Sequence, residues 1–248
     1  MGNLKTKDKE NSHLGNCALC AKRAKLSFEH IPPQCAFNKK PIFVQTHEHL
    51  VEESSYLFGK KNKSQRGFGK QTLCETCNNN TGGWYVKDFC SFIKQGMDIL
   101  TKNQNPYYIS GSYRCKPQNV IKQILLMFLA ADSHGIVRDL AGVSDYLLNK
   151  ESSAFPDKVD IYIYSNSSAK KRMLGYCVVY DAGRICNWSE INFRPFGYFL
   201  TYDSPPPNEY MVKITDFSKV PYDKEYDIKL NTAYLKVDNM LIGHYDGI

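Results

Sequence analysis

No stretch of this chain is apolar for long enough to cross a bilayer, since a spanning helix needs about 20 consecutive apolar residues. Its first ten residues, Met1 to Glu10, are polar and charged and lack the apolar core of a secretory leader. Both absences set the expectation of a cytoplasmic protein with no membrane partner. No internal repeat is visible, which excludes a solenoid or propeller. The compositional bias of a disordered chain is also missing: 42% of residues are hydrophobic and only 23% charged, the balance of a chain that can build a core. At 248 residues there is room for one large domain or two modest ones.

Cysteine is not scarce. Nine are present, and four of them form two C-x-x-C pairs, Cys17-Ala-Leu-Cys20 and Cys74-Glu-Thr-Cys77. Each pair is a knuckle that can present two thiolates to one ion, and two knuckles supply the four soft ligands of a tetrahedral structural zinc. In a reducing compartment paired thiols favour metal over disulfide. Cys35, Cys90, Cys115, Cys177 and Cys186 have no paired spacing and read as small buried apolar residues.

Between the knuckles lies Glu29-His30-Ile31-Pro32-Pro33, and Asn78 follows the second knuckle directly. This order of Cys17, Cys20, Glu29, His30, Pro33, Leu73, Cys74, Cys77 and Asn78 resembles the zinc-containing form of the HNH endonuclease family. The resemblance covers roughly the first ninety residues and none beyond them. It implies a zinc-stapled β-hairpin and helix (the ββα-metal fold) that grips one catalytic Mg²⁺ or Mn²⁺ and hydrolyses phosphodiester bonds. His30 would be the general base, as suits an imidazole titrating near neutrality. Glu29 and Asn78 would offer oxygen ligands to the hard cation. The family's middle Asn has no counterpart, its position being Gly69; Gln71 is the candidate to orient His30 in its place. Restriction or antiviral defence is the setting the resemblance suggests. A second reading, a zinc-stabilised module that grips nucleic acid or protein and cuts nothing, stays open beside it.

Charge supports a nucleic-acid partner, with DNA as the expected one. Residues 1–102 carry sixteen Lys and Arg against nine Asp and Glu, whereas residues 103–248 hold sixteen of each. The whole excess of +7 therefore lies with the cysteine and histidine constellation, where it would draw a phosphodiester with salt-sensitive affinity. Lys60, Lys61, Lys63, Arg66 and Lys70 form a glycine-punctuated basic run suited to a phosphate backbone.

The expected fold class is α+β. A flexible tail (1–15, with Lys5, Lys7 and Lys9 as further phosphate contacts) precedes an HNH-like module (16–102) carrying a long insertion over 36–70. A C-terminal domain (103–248), first helical and then β-rich, completes the chain. Alternating apolar residues predict strands over 26–31, 41–44, 55–58, 159–164, 174–180, 193–202, 210–214 and 233–237. Helices are expected over 84–100, 119–131 and 137–148. His47 and His49, alternate residues of one strand, form a rival metal pair. No catalytic motif occurs in 103–248.

Overall fold

The computed structural model describes residues 14–181, 183–235 and 243–247. In chain order the elements are β1 (Leu14–Asn16), β2 (Arg23–His30), β3 (Ile42–Val44), α1 (His47–Val51), β4 (Asn62–Ser64) and β5 (Gly69–Cys74). Next come α2 (Glu75–Thr81), a π-helical turn at Gly82–Val86, α3 (Lys87–Lys102), β6 (Tyr108–Cys115) and α4 (Pro117–Ala131). The chain continues with α5 (Ile136–Asp139), α6 (Val143–Leu148), β7 (Val159–Ser165), β8 (Lys171–Asp181), β9 (Arg184–Phe193) and β10 (Phe196–Tyr202). Last are β11 (Val212–Lys213), a 3₁₀ turn at Thr215–Lys219, β12 (Tyr226–Ala233) and β13 (Gly243–Gly247). The mixture of helix and strand is of the α+β kind. No helix among the described residues is long and apolar enough to cross a membrane.

Three sheets form. β1, β2 and β5 make a small antiparallel sheet in that order, and β12 pairs with β6. The third has eight strands in the order β11-β7-β10-β9-β8-β13-β3-β4. Its last two strands come from the insertion, so the insertion extends the C-terminal sheet instead of forming a lobe of its own. One buried apolar cluster runs from Cys17 and Leu73 through α4 to Ile191 and Leu230. The expected boundary at 102/103 therefore does not separate two cores.

α4 explains this continuity. All fifteen of its residues are buried, as expected of a helix apolar on every side, and it packs against β5, α3 and α6. Two of its polar residues are held by hydrogen bonds to neighbouring elements. Lys122 Nζ donates to the carbonyls of Tyr146 at 2.6 Å and Asn149 at 2.7 Å and lies 3.8 Å from the centre of the Tyr146 ring. Asn119 donates to Asp88 of α3 at 2.7 Å.

Several expectations are corrected. Leu14 and Gly15, assigned to the tail, pair with Lys25 and Ala24 in β1, while Lys5, Lys7 and Lys9 lie outside the described residues. Residues 55–58 form a bend and turn, because Ser55 bonds locally: its Oγ donates to Glu48 and accepts from the Leu57 N–H. The helix expected over 137–148 breaks into α5 and α6 at Gly142, whose φ of 83° is left-handed. Residues 193–202 contain a turn at Arg194-Pro195 between β9 and β10. Of 233–237, residue 233 ends β12, and 236–237 lie outside the described residues.

The large sheet carries a buried polar network. Arg172 donates twice to Glu190, at 2.9 and 2.7 Å, and the Tyr164 hydroxyl donates to the same carboxylate at 2.6 Å. The Tyr164 ring lies over Gly197, where an added Cβ would stand 2.0 Å from its Cζ. Gly197→Ala is therefore expected to displace Tyr164 from Glu190. Overpacking of this kind costs about 1–3 kcal/mol, read as a fall of about 2–12 °C in Tm for a chain this size. A melting curve unchanged from wild type would show that the ring moves freely.

Candidate metal centre and the hairpin beside it

The turn between β1 and β2 makes the first knuckle. Ala21 takes a left-handed φ of 59°, closing the turn with its N–H on the Cys17 carbonyl at 2.9 Å. The second knuckle begins where β5 runs into α2, so Cys74 caps the helix and Cys77 lies on its inner side. The Ala18 N–H reaches the Thr72 carbonyl at 2.7 Å and fastens one knuckle to the other.

The four sulfurs converge. Those of Cys17, Cys20, Cys74 and Cys77 all lie within 4.8 Å of one another, with Cys20 and Cys74 at 3.9 Å. Four sulfurs about 2.3 Å from a zinc would stand about 3.8 Å apart, so the cluster could hold a metal ion such as zinc. Burial raises the Cys17 thiol, but N–H groups from Cys20, Cys74 and Leu19 outweigh it and bring the pKa down to about 7. Burial drives Cys20 and Cys77 upward. Three buried sulfurs and one half-buried one are a donor set that a soft cation fits.

β2 carries Glu29 and His30 to its end. Its register with β5 shifts once, between Ser27 and Phe28, and then holds with Glu29 opposite Lys70 and His30 opposite Gly69. Adjacent strand residues face opposite ways, so Glu29 shares a face with Ser27 and His30 shares the other with Phe28.

On the first face, Glu29 is 8% exposed, and burial pushes its carboxyl up to about 7. No ion pair or hydrogen bond to this carboxylate occurs among the described residues. Asn78 points to the same face: its Nδ2 donates to Ser27 Oγ at 2.9 Å, and Ser27 in turn donates to the Leu73 carbonyl. This fixes the amide by its nitrogen. On the second face, the His30 ring meets Phe28 edge-on, centroids 4.9 Å apart, and its Nε2 meets the Gln34 amide at 2.9 Å. Burial lowers the His30 pKa. A bond to the Arg66 backbone opposes this, and the Arg66 charge lowers it further, so the surroundings favour the neutral ring.

Gln71 does not orient His30; it is exposed on β5, and Gln34 stands in the place expected for it. Nor could an Asn occupy position 69, where a Cβ would lie 2.2 Å from the Glu29 carbonyl and 2.6 Å from the Phe28 ring. No sequence signal marks Gln34, which reaches back to His30 only because the chain turns through Pro32-Pro33. Asn38 fastens that turn, donating to the Pro32 and Phe68 carbonyls at 2.7 Å and accepting from the Phe68 N–H.

Lys60, Lys61, Lys63 and Arg66 are all exposed on the insertion beside this hairpin. Lys70 is engaged inward instead. Its ammonium donates to the Ala131 carbonyl at 2.6 Å and to Ser133 Oγ at 2.7 Å, satisfying the C-terminal end of α4, and burial lowers its pKa. The rival pair is dissolved as well: His47 and His49 belong to helix α1, and His49 Nδ1 accepts from the Thr46 N–H at 2.9 Å. Cys35 and Cys90, read from sequence as two separate apolar residues, are joined in a disulfide with Cα atoms 5.8 Å apart. No family model, no curated protein and no solved structure matches this chain.

Proposed function

We propose that the chain is a metal-dependent endonuclease of the HNH type that hydrolyses phosphodiester bonds in DNA. The observation that carries this reading is Glu29, a carboxylate more than nine-tenths buried with no partner among the described residues. Burying a carboxylate uncompensated is costly, and a cation at this face would reverse the cost. Glu29 and the Asn78 amide oxygen would hold Mg²⁺ or Mn²⁺, which when bound supplies charge stabilisation to the phosphate and the leaving oxygen. His30, its neutral form favoured by burial and by Arg66, takes the proton of the attacking water on its ring nitrogen. Gln34 positions that ring and is exposed, so it can yield Nε2 to the water. Arg66 lies close enough to His30 to lower its pKa and can meet a non-bridging phosphate oxygen. β2 stops at His30, and a phosphate lying across the strand end reaches both faces. A structural zinc on the four cysteines staples the hairpin to α2 and does no chemistry.

The regular pairing from Phe28 to His30, which sends Glu29 and His30 to opposite faces, favours a second reading, a zinc-stapled nucleic-acid or protein-binding module without catalysis. Supercoiled plasmid separates the two. Nicking and linearisation are expected with Mg²⁺ or Mn²⁺ and not when the divalent ion is left out. Retardation of the plasmid on a gel with no cleavage under any divalent ion would establish the binding module instead.

A further inference from the structure

A second site lies behind the Gln34 turn. There the segment after Pro33, the outer face of α3, the start of β8 and the β9–β10 turn enclose a cavity of about 670 Å³, well within the range of small-ligand sites. Its charge is one-sided. Lys39, Lys40, Lys94, Lys171 and Arg194 line it, and among the described residues no acidic one does. None of the five forms an ion pair among the described residues.

Two of these cations are set inward. Lys171 is half-buried, and its Nζ is steadied by the Phe37 carbonyl at 3.3 Å and Asn38 Oδ1 at 3.4 Å, neutral acceptors that leave its charge uncompensated. Burial accordingly lowers its pKa. Arg194 is half-buried as well and lines the same cavity. Both side chains line the cavity and neither meets a carboxylate among the described residues, so an anion bound there would be the first negative charge either one faces. The remaining wall is apolar, through Ile42, Met97 and Phe37. Phe37 is 48% exposed and takes a left-handed φ of 63°, a conformation uncommon for a residue with a bulky side chain. The Cys35–Cys90 bond pins the Phe37 segment to α3.

We propose that this cavity binds a nucleotide, its phosphate on Lys171 and Arg194 and its base against Phe37. A single phosphate would leave the apolar wall and most of the volume unused, whereas an aromatic side chain is a stacking platform for any base. The nucleotide can be free in solution or one unit of a bound strand. The second source rests on the nuclease reading, because Gln34 both lines the cavity and touches His30.

The test is equilibrium binding of adenosine 5′-monophosphate, inorganic phosphate and a single-stranded octanucleotide, with no divalent cation added. Wild type is compared with Lys171→Gln, Arg194→Gln, Phe37→Ala and the rim variant Lys39→Gln/Lys94→Gln. The rim variant alters only exposed side chains and guards against misfolding of the inner ones. Loss of one charged hydrogen bond weakens binding about 10- to 100-fold, and that loss is expected for the monophosphate in both inner-cation variants. A smaller loss is expected in Phe37→Ala and in the rim variant. Monophosphate binding that the octanucleotide does not displace supports the free source; binding seen with the octanucleotide alone and weakened by the same variants supports the strand unit. Phosphate binding as tightly as the monophosphate, with Phe37→Ala without effect, overturns the nucleotide assignment, as does binding by neither nucleotide. Plasmid cleavage by the same samples keeps the two proposals apart. Nucleotide binding without cleavage leaves the cavity standing and removes the nuclease. Cleavage unchanged in Arg194→Gln, with no nucleotide bound, does the reverse.

Discussion

Stripping the metal from the four-cysteine cluster is expected to unfold the N-terminal sheet. The sulfurs of Cys17, Cys20, Cys74 and Cys77 lie within 4.8 Å of one another, while the elements they join are slight: β1 has three residues and α2 seven. Without a cation, converging thiolates would repel one another in a buried site. With one, a structural zinc supplies an apparent binding free energy of about 10–16 kcal/mol, as large as the whole stability of a typical domain. Elemental analysis of the purified protein should give one zinc per chain, and Cys17→Ala or Cys77→Ala should lose it. A strong chelator should lower the thermal midpoint and expose the backbone amides of β1, β2 and α2 to hydrogen exchange before those of the large sheet. Cys115→Ala, a free cysteine away from the cluster, should keep its zinc. Absence of zinc, with the four cysteines found in disulfides, would remove the staple from the proposal.

The parts legible in the sequence were those whose geometry is local. A C-x-x-C pair is a knuckle by its own spacing, so Cys17, Cys20, Cys74 and Cys77 could be grouped across 60 residues of chain. The alternation of 159–164 and the all-round apolarity of 119–131 likewise declare a strand and a buried helix. What stayed hidden depends on contacts far apart in sequence. β3 and β4 look like a self-contained insertion until β13 pairs with β3. Lys70 reads as one more exposed cation until the end of α4 claims it. Thr46 turns an apparent His-x-His strand into a capped helix. The nucleotide cavity had no linear signature at all, because its cations come from four separate segments and the bond that pins its Phe37 segment spans 55 residues.

His30→Ala is expected to abolish cleavage while sparing folding, zinc content and DNA binding. The ring sits at the last residue of β2, half-buried, with side-chain contacts to Phe28 and Gln34. Its removal leaves no buried charge unpaired, and Gln34 is exposed and can be solvated. A general base acts only as the water attacks, so losing it lowers turnover without loosening the ground-state complex. Positioned acid–base catalysis is worth about 10²–10⁴-fold, and no other imidazole or carboxylate shares the His30 face of β2 to replace it. Gln34→Ala should give a smaller fall in turnover with unchanged DNA affinity, as befits a positioning residue. Asn78→Ala should fail by another route. It removes an oxygen from the Glu29 face and the bond to Ser27, so part of its loss should return at high Mg²⁺ or with Mn²⁺, whereas His30→Ala should not respond to metal. Single-turnover cleavage of plasmid, with DNA affinity measured on the same preparations, reads both effects. Wild-type rates in His30→Ala would mean that the proton is taken elsewhere. Equal rescue of both variants by Mn²⁺ would move His30 from base to metal ligand.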